Sequence, residues 1–126
     1  MAYVLKVENK VSYLHVKATG ENTPENVANY MTDVRNTCIE NKCPFVLIEE
    51  NLNGPSLGTS AIFNIVTKAS EQVGHSVRQI AYIDVNPQHD MALMQFAETT
   101  AVNRGINIRV FPTVQEAEQW MREEKM

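Results

Sequence analysis

The sequence predicts a single α/β domain over residues 1–126, with a five-stranded mixed sheet and four main helices in the order ββαβαβαβα. Three observations carry that expectation. After residue 44, runs of β-branched and aromatic residues alternate with stripes at helical spacing, the pattern of strands joined by crossover helices. Two extended runs come first with no helix between them, which reads as a hairpin. Finally, 44% apolar residues in a chain of 126 suffice for one core without a metal or disulfide. No repeat, linker or low-complexity tract interrupts the pattern.

The opening runs cover residues 3–8 and 11–19, with Asn9-Lys10 as the turn. In the second run Val11, Tyr13, His15 and Lys17 share one face, and Ser12, Leu14, Val16 and Ala18 the other. Thr23-Pro24 opens the first helix: the Thr oxygen can accept from a free N–H, and Pro fits the first turn because its missing donor had no partner there. Val27, Tyr30, Met31, Val34 and Cys38 then mark one buried stripe. Pro44 stops the helix, and Phe45-Val46-Leu47-Ile48 is continuously apolar, as a strand covered on both faces would be.

Residues 51–59 (NLNGPSLGT) hold dense turn chemistry and read as a loop. Thr59 or Ser60 caps the second helix, whose stripe is Ile62, Ile65, Val66, Ala69 and Val73, and Gly74 ends it. A strand follows over 77–85, broken by Asn86-Pro87. The third helix runs over 88–103, with Leu93, Phe96, Ala97, Thr100 and Ala101 on one face, and the last strand over 106–111. Thr113-Val114-Gln115-Glu116 is a capping box for the final helix. Its inner face carries Val114, Ala117, Trp120 and Met121, with Trp120 expected as the core anchor, and a charged tail (122–125) expected to be solvated.

Composition excludes several classes of function. Fifteen acids against eleven Lys and Arg give a net charge of −4, without the clustered basic excess of a nucleic-acid surface. No apolar run approaches the length of a membrane span. The sequence is expected to carry no secretory signal, so its two cysteines point to reduced thiols in the cytoplasm.

Several segments then bear a family likeness. They are the hairpin ending in Ala18-Thr19-Gly20, the start Thr23-Pro24-Glu25, the run Phe45-Val46-Leu47-Ile48-Glu49-Glu50, Asn103-Arg104-Gly105, Val110-Phe111, and Glu116-Ala117 with Trp120. On these the chain resembles the SpoIIAA-like superfamily, the fold of STAS domains, and within it a STAS-like group of small bacterial proteins. The resemblance implies a regulatory or scaffolding module that binds a protein partner and does no catalysis. In regulatory STAS domains a Ser of an Asp-Ser pair after the third strand is phosphorylated. The corresponding stretch, 54–60, lacks that pair; Ser56 is its nearest positional match, with Thr59 and Ser60 as alternatives.

The same stretch is the leading site on physical grounds. Ligands gather at the carboxyl ends of parallel strands, and a helix N-terminus favours an anion. Ser56, Gly58, Thr59 and Ser60 are therefore the expected contacts, for a protein partner or for a small anionic or lipid-like ligand. Glu49, Glu50 and Asp84 are expected at neighbouring strand ends as solvated acids. His89, at the start of the third helix, is the one candidate base among His15, His75 and His89, and reads first as a surface residue. Cys38 and Cys43 lack zinc spacing, so no metal or other cofactor is expected. Met31, Met91, Met94 and Met121 read as core filling. A homodimer through exposed apolar residues stays open. Titration of the denatured, unreduced protein is expected to find both thiols; finding neither would place a disulfide between Cys38 and Cys43.

Overall fold

A computed structural model describes residues 3–73 and 76–123, without the side chain of Val73. The elements in chain order are β1 (Tyr3–Asn9), β2 (Leu14–Glu21), α1 (Pro24–Glu40), β3 (Phe45–Asn53), α2 (Thr59–Val73), β4 (Gln79–Asp84), α3 (Met91–Val102), β5 (Ile108–Val110) and α4 (Val114–Glu123). This is the expected order. Gly74, His75 and residues 124–126 lie outside the described residues, so the stop of α2 and the end of the charged tail do too.

The strands lie in the sheet in the order β1-β2-β3-β4-β5. β1 is antiparallel to β2, and every later pairing is parallel. Each crossover therefore steps one strand in the same direction. Right-handed connections of that kind put α1, α2 and α3 on one face. There Leu14, Val16, Val46, Ile48 and Leu52 pack under Val27, Tyr30, Val34 and Cys38. α4 emerges past the last strand and covers the other face, where Ala117 and Met121 meet Tyr13, Leu47, Ala81 and Ile83. The alternation read for β2 holds: Leu14, Val16 and Ala18 face the three helices and Tyr13 faces α4. Burial pushes the Cys38 thiol up to about 12, with a smaller contribution from nearby Cys43. Among the described residues no helix is long and apolar enough to cross a membrane.

Local chemistry explains the boundaries. Thr23 accepts from the Asn26 N–H at 3.1 Å and opens α1. The Thr113 oxygen accepts from the Glu116 N–H at 3.2 Å and opens α4. Four expectations need correction. The hairpin turns through residues 10–13, not two residues: the Lys10 N–H reaches the Tyr13 carbonyl at 2.9 Å, and Val11 adopts a φ of 74°. β3 continues to Asn53 because its pairing with β2 runs on to Glu21↔Asn53, and Leu52 is fully buried. Tertiary burial there overrides the turn chemistry of Asn51-Leu52-Asn53. α3 starts at Met91, capped by Asp90, whose carboxylate accepts from the Ala92 N–H at 2.9 Å.

The fourth correction is Trp120, which is half-buried at the rim of the smaller cluster. Its ring lies 5.5 Å from that of Phe111, with the Arg109 guanidinium over it at 5.8 Å. The fully buried residues of α4 are Ala117 and Met121. Met121→Ala is accordingly expected to cost about 2–5 kcal/mol, as buried Met truncations do. Trp120→Ala should cost about 1–2 kcal/mol, for partial burial and one ring pair. Urea midpoints of the two variants check that order.

Candidate functional site

Strand alternation decides which acids meet. Along β3, Val46, Ile48, Glu50 and Leu52 face the three helices, so Glu49 points the opposite way and pairs with His15 of β2 at 2.9 Å. Glu50 stands in register with Asp84 of β4. Tyr82, two residues before Asp84, shares their face. The three acids thus do not act together, and Glu50 is not a solvated rim residue: it is 3% exposed. Tyr30 comes down from α1 and donates its hydroxyl to Glu50 Oε2. Burial raises the Glu50 pKa, the tyrosine hydroxyls oppose the rise, and neighbouring Asp84 adds to it. Burial also holds both phenols well above their usual range, with the charge of Glu50 adding to it.

His89 lies in the loop before α3 rather than on the helix, and its side chain is 2% exposed. The loop is built to aim it. Asp84 Oδ1 accepts from the Asn86 N–H at 3.0 Å, and Asn86 Oδ1 from the Gln88 N–H at 2.9 Å. The imidazole then reaches Asp84 Oδ2 through Nδ1 at 2.6 Å and the Gly54 carbonyl through Nε2 at 2.8 Å. The Asn22 and Asn86 amides also lie 3.4 Å from Nε2, but the shorter contact of each ring nitrogen is to an acceptor, the arrangement that favours an imidazolium. Desolvation, the largest single effect, lowers the His89 pKa. The bonds to Asp84 and Gly54 and the charges of Asp84 and Glu50 outweigh it, so the net shift is upward. Gly54 presents its carbonyl from a φ of +107°, which side chains rarely adopt.

Further bonds fasten the loop between β3 and α2. Asn22 donates to the Pro55 carbonyl at 2.8 Å, and Asn86 to the Leu52 carbonyl at 2.7 Å. The Ser56 hydroxyl accepts from the Asp90 N–H at 2.9 Å. Ser56 therefore engages the start of α3, not the start of α2. Gly58 holds the capping position of α2, where its carbonyl accepts from the Ile62 N–H at 3.1 Å. Thr59 and Ser60 are the first residues of the helix instead of its caps, and both are exposed, as is Gly58. The expected site thus divides into an inner residue, Ser56, and an outer edge, Gly58-Thr59-Ser60.

Between the sheet and α2–α3 lies a cavity of about 90 Å³. Its walls are apolar, among them Met31, Leu57, Ile62, Val66 and Met94, while Glu50, Tyr82, Asp84 and His89 form a polar end. Left empty, a void of this size costs up to about 2 kcal/mol. Nothing in the hydropathy pattern announced it, because its walls are the same stripes that build the core.

Glu50, Asp84 and His89 offer ligand atoms within 4.8 Å of one another. That spacing would suit a cation, but acidic groups often cluster without one and the spacing alone assigns none. A cation there would have to displace a proton from His89 and one of its bonds to Asp84 and Gly54.

Among solved structures, the fold is similar to an anti-sigma factor antagonist from Mycobacterium paratuberculosis, at TM-score 0.57 and 15% identity, covering 97% of this chain and 96% of that one. The protein TM1081, solved by NMR, matches at TM-score 0.49 and 14% identity over 95% of this chain and 90% of its own. No protein-family model matches the chain, and neither does any curated protein. The fold is the STAS-like α/β fold that the sequence resemblance implies.

The raised His89 pKa has a definite pH signature. Its stabilising contribution is fully present below the unfolded value of 6.5 and is lost as pH rises through the higher folded value. His89→Gln is expected to lose roughly 3 kcal/mol at pH 6, the usual cost of breaking a buried pair. The gap to wild type should narrow toward pH 8.5. Urea unfolding of both proteins across that range checks the sign.

Proposed function

We propose that the chain is a non-catalytic regulatory module that binds a protein partner along the edge formed by Gly58, Thr59 and Ser60, with Ser56 behind it anchoring the loop. The similarity of its fold to that of an anti-sigma factor antagonist supports the reading. The observation that carries the reading is the start of α2. Side chains cap α1, α3 and α4, through Thr23, Asp90 and Thr113. At α2 the capping residue is Gly58, which has no side chain to offer. The first-turn N–H groups beside Thr59 and Ser60 are thus left for solvent or for a partner's carboxylate or phosphate.

The surface beside that helix start supports the same reading. A groove between α1 and α2 is lined by Pro24, Glu25, Ala28, Gly58, Ser60 and Asn64. A partner whose acidic group reaches the α2 terminus would lay neighbouring residues along it. A small anionic or lipid-like ligand is the second reading, because a free anion would meet the same N–H groups. Ser56 takes part differently. A phosphate there would displace the bond from the Asp90 N–H and stand at the start of α3 next to the Asp90 carboxylate.

Thr59→Glu and Gly58→Glu place a carboxylate where the partner's acid would sit. Each is expected to stay folded and to weaken capture of native partners by about 1 kcal/mol, roughly fivefold. Ser56→Asp should change capture through the shift of the loop it anchors. Quantified pull-downs from the native host check all three. Unchanged capture by the three folded variants would reduce this edge to a connection, and competition by inorganic phosphate alone would favour the small anion.

A further inference from the structure

We propose that the space between the sheet and α2–α3 is a binding site for a small molecule with an apolar body and a hydrogen-bond-donating head, an aliphatic amine or alcohol, seated head-first against Glu50. This site is distinct from the outer edge at the start of α2 and does not depend on that edge binding a protein.

The first argument is the space. The cavity of about 90 Å³ is followed along the sheet by a second of about 80 Å³, and the two share Met31, Ile65, Val66, Ala101 and Ile108 as lining. Folded interiors hold few voids larger than a water molecule. Away from the polar end water fits poorly, because it needs two to four polar partners and the walls there are aliphatic. Of the shared residues, Met31 is unbranched and changes rotamer readily. Side by side, the two voids approach the ~150 Å³ apolar cavities known to take benzene.

The second argument is charge. The side chains around the first cavity include three acids, Glu50, Asp84 and Glu98, against one cation, His89. Both N–H groups of that imidazolium are already given to Asp84 and Gly54. An incoming carboxylate or phosphate would stand beside those three acids, where like charge disfavours it. A donor head is complementary: the Glu50 carboxyl accepts from Tyr30 and Tyr82, and its two oxygens have lone pairs for a further bond. An ammonium or hydroxyl at Glu50 would place its chain against Met94 and Ile62, toward the Met31 boundary.

Three probes with one chain and different heads test this: pentan-1-amine, pentan-1-ol and pentanoate. Binding is read by NMR on protein labelled at the Met and Ile methyls. The amine and the alcohol are expected to show nuclear Overhauser contacts to Ile62 and Met94, and pentanoate to bind at least about tenfold more weakly. Ala97→Leu fills the cavity and should weaken the amine at least about tenfold. Thr59→Glu, at the separate outer edge, should leave it unchanged. Contacts to other residues, or none, would overturn the site, and the wild-type contacts decide this even if Ala97→Leu fails to fold. Equal binding of pentanoate would overturn the assignment of the head.

Discussion

Every crossover in this sheet moves one strand outward in the same direction, and the rest of the molecule follows from that constraint. Because parallel connections are right-handed, three successive helices must share one face. The fourth, which follows the last strand, is left to cover the other. The carboxyl ends of β3 and β4 then lie side by side beneath α2 and α3, with Glu50 and Asp84 in register. The two loops that leave those ends are forced into contact, and the polar network joins them. The cavity follows from the same arrangement: two helices rest on a sheet whose last strand, β5, is only three residues long.

Burying an acid, an imidazolium and a second acid together is costly unless each charge is matched. Here the matching is complete enough to explain why the network persists. His89 spends one donor on a carboxylate and one on a backbone carbonyl. Glu50 is held by the Tyr30 hydroxyl and shifted toward its neutral form by burial. The benefit is geometric. The Gly54 carbonyl, the Ser56 hydroxyl and the Leu52 carbonyl are each tied to the loop before α3. A segment rich in turn residues thereby acquires one fixed path.

Much of this was legible in the sequence, for local reasons. The stripe of α1, the capping of α1 by Thr23 and of α4 by Thr113, and the two-sided burial of Val46, Leu47 and Ile48 rest on periodicity and side-chain chemistry that act within a few residues. What escaped depends on contacts across the chain. Asn51-Leu52-Asn53 reads as a turn until β2 is beside it. Trp120 reads as an anchor until Phe111 is seen to hold it at the rim. Glu50 and His89 read as exposed because acids and histidines usually are. Only the register of β3 with β4 shows that Glu50, Asp84 and His89 share one buried place. Alternation did separate Glu49 from Glu50, since neighbours in a strand face opposite ways, but alone it could not say which face was covered.

The buried polar side chains are committed first to holding one another. His89 has both nitrogens occupied. Tyr30 and Tyr82 are held in their neutral forms by burial. What remains open is of another kind: N–H groups at the start of α2, and an apolar space that ends at a carboxyl. Both suit recognition, one from outside and one from within. The five residues between β3 and α2 face both, since Ser56 and Leu57 line the cavity while Gly58 borders the outer groove.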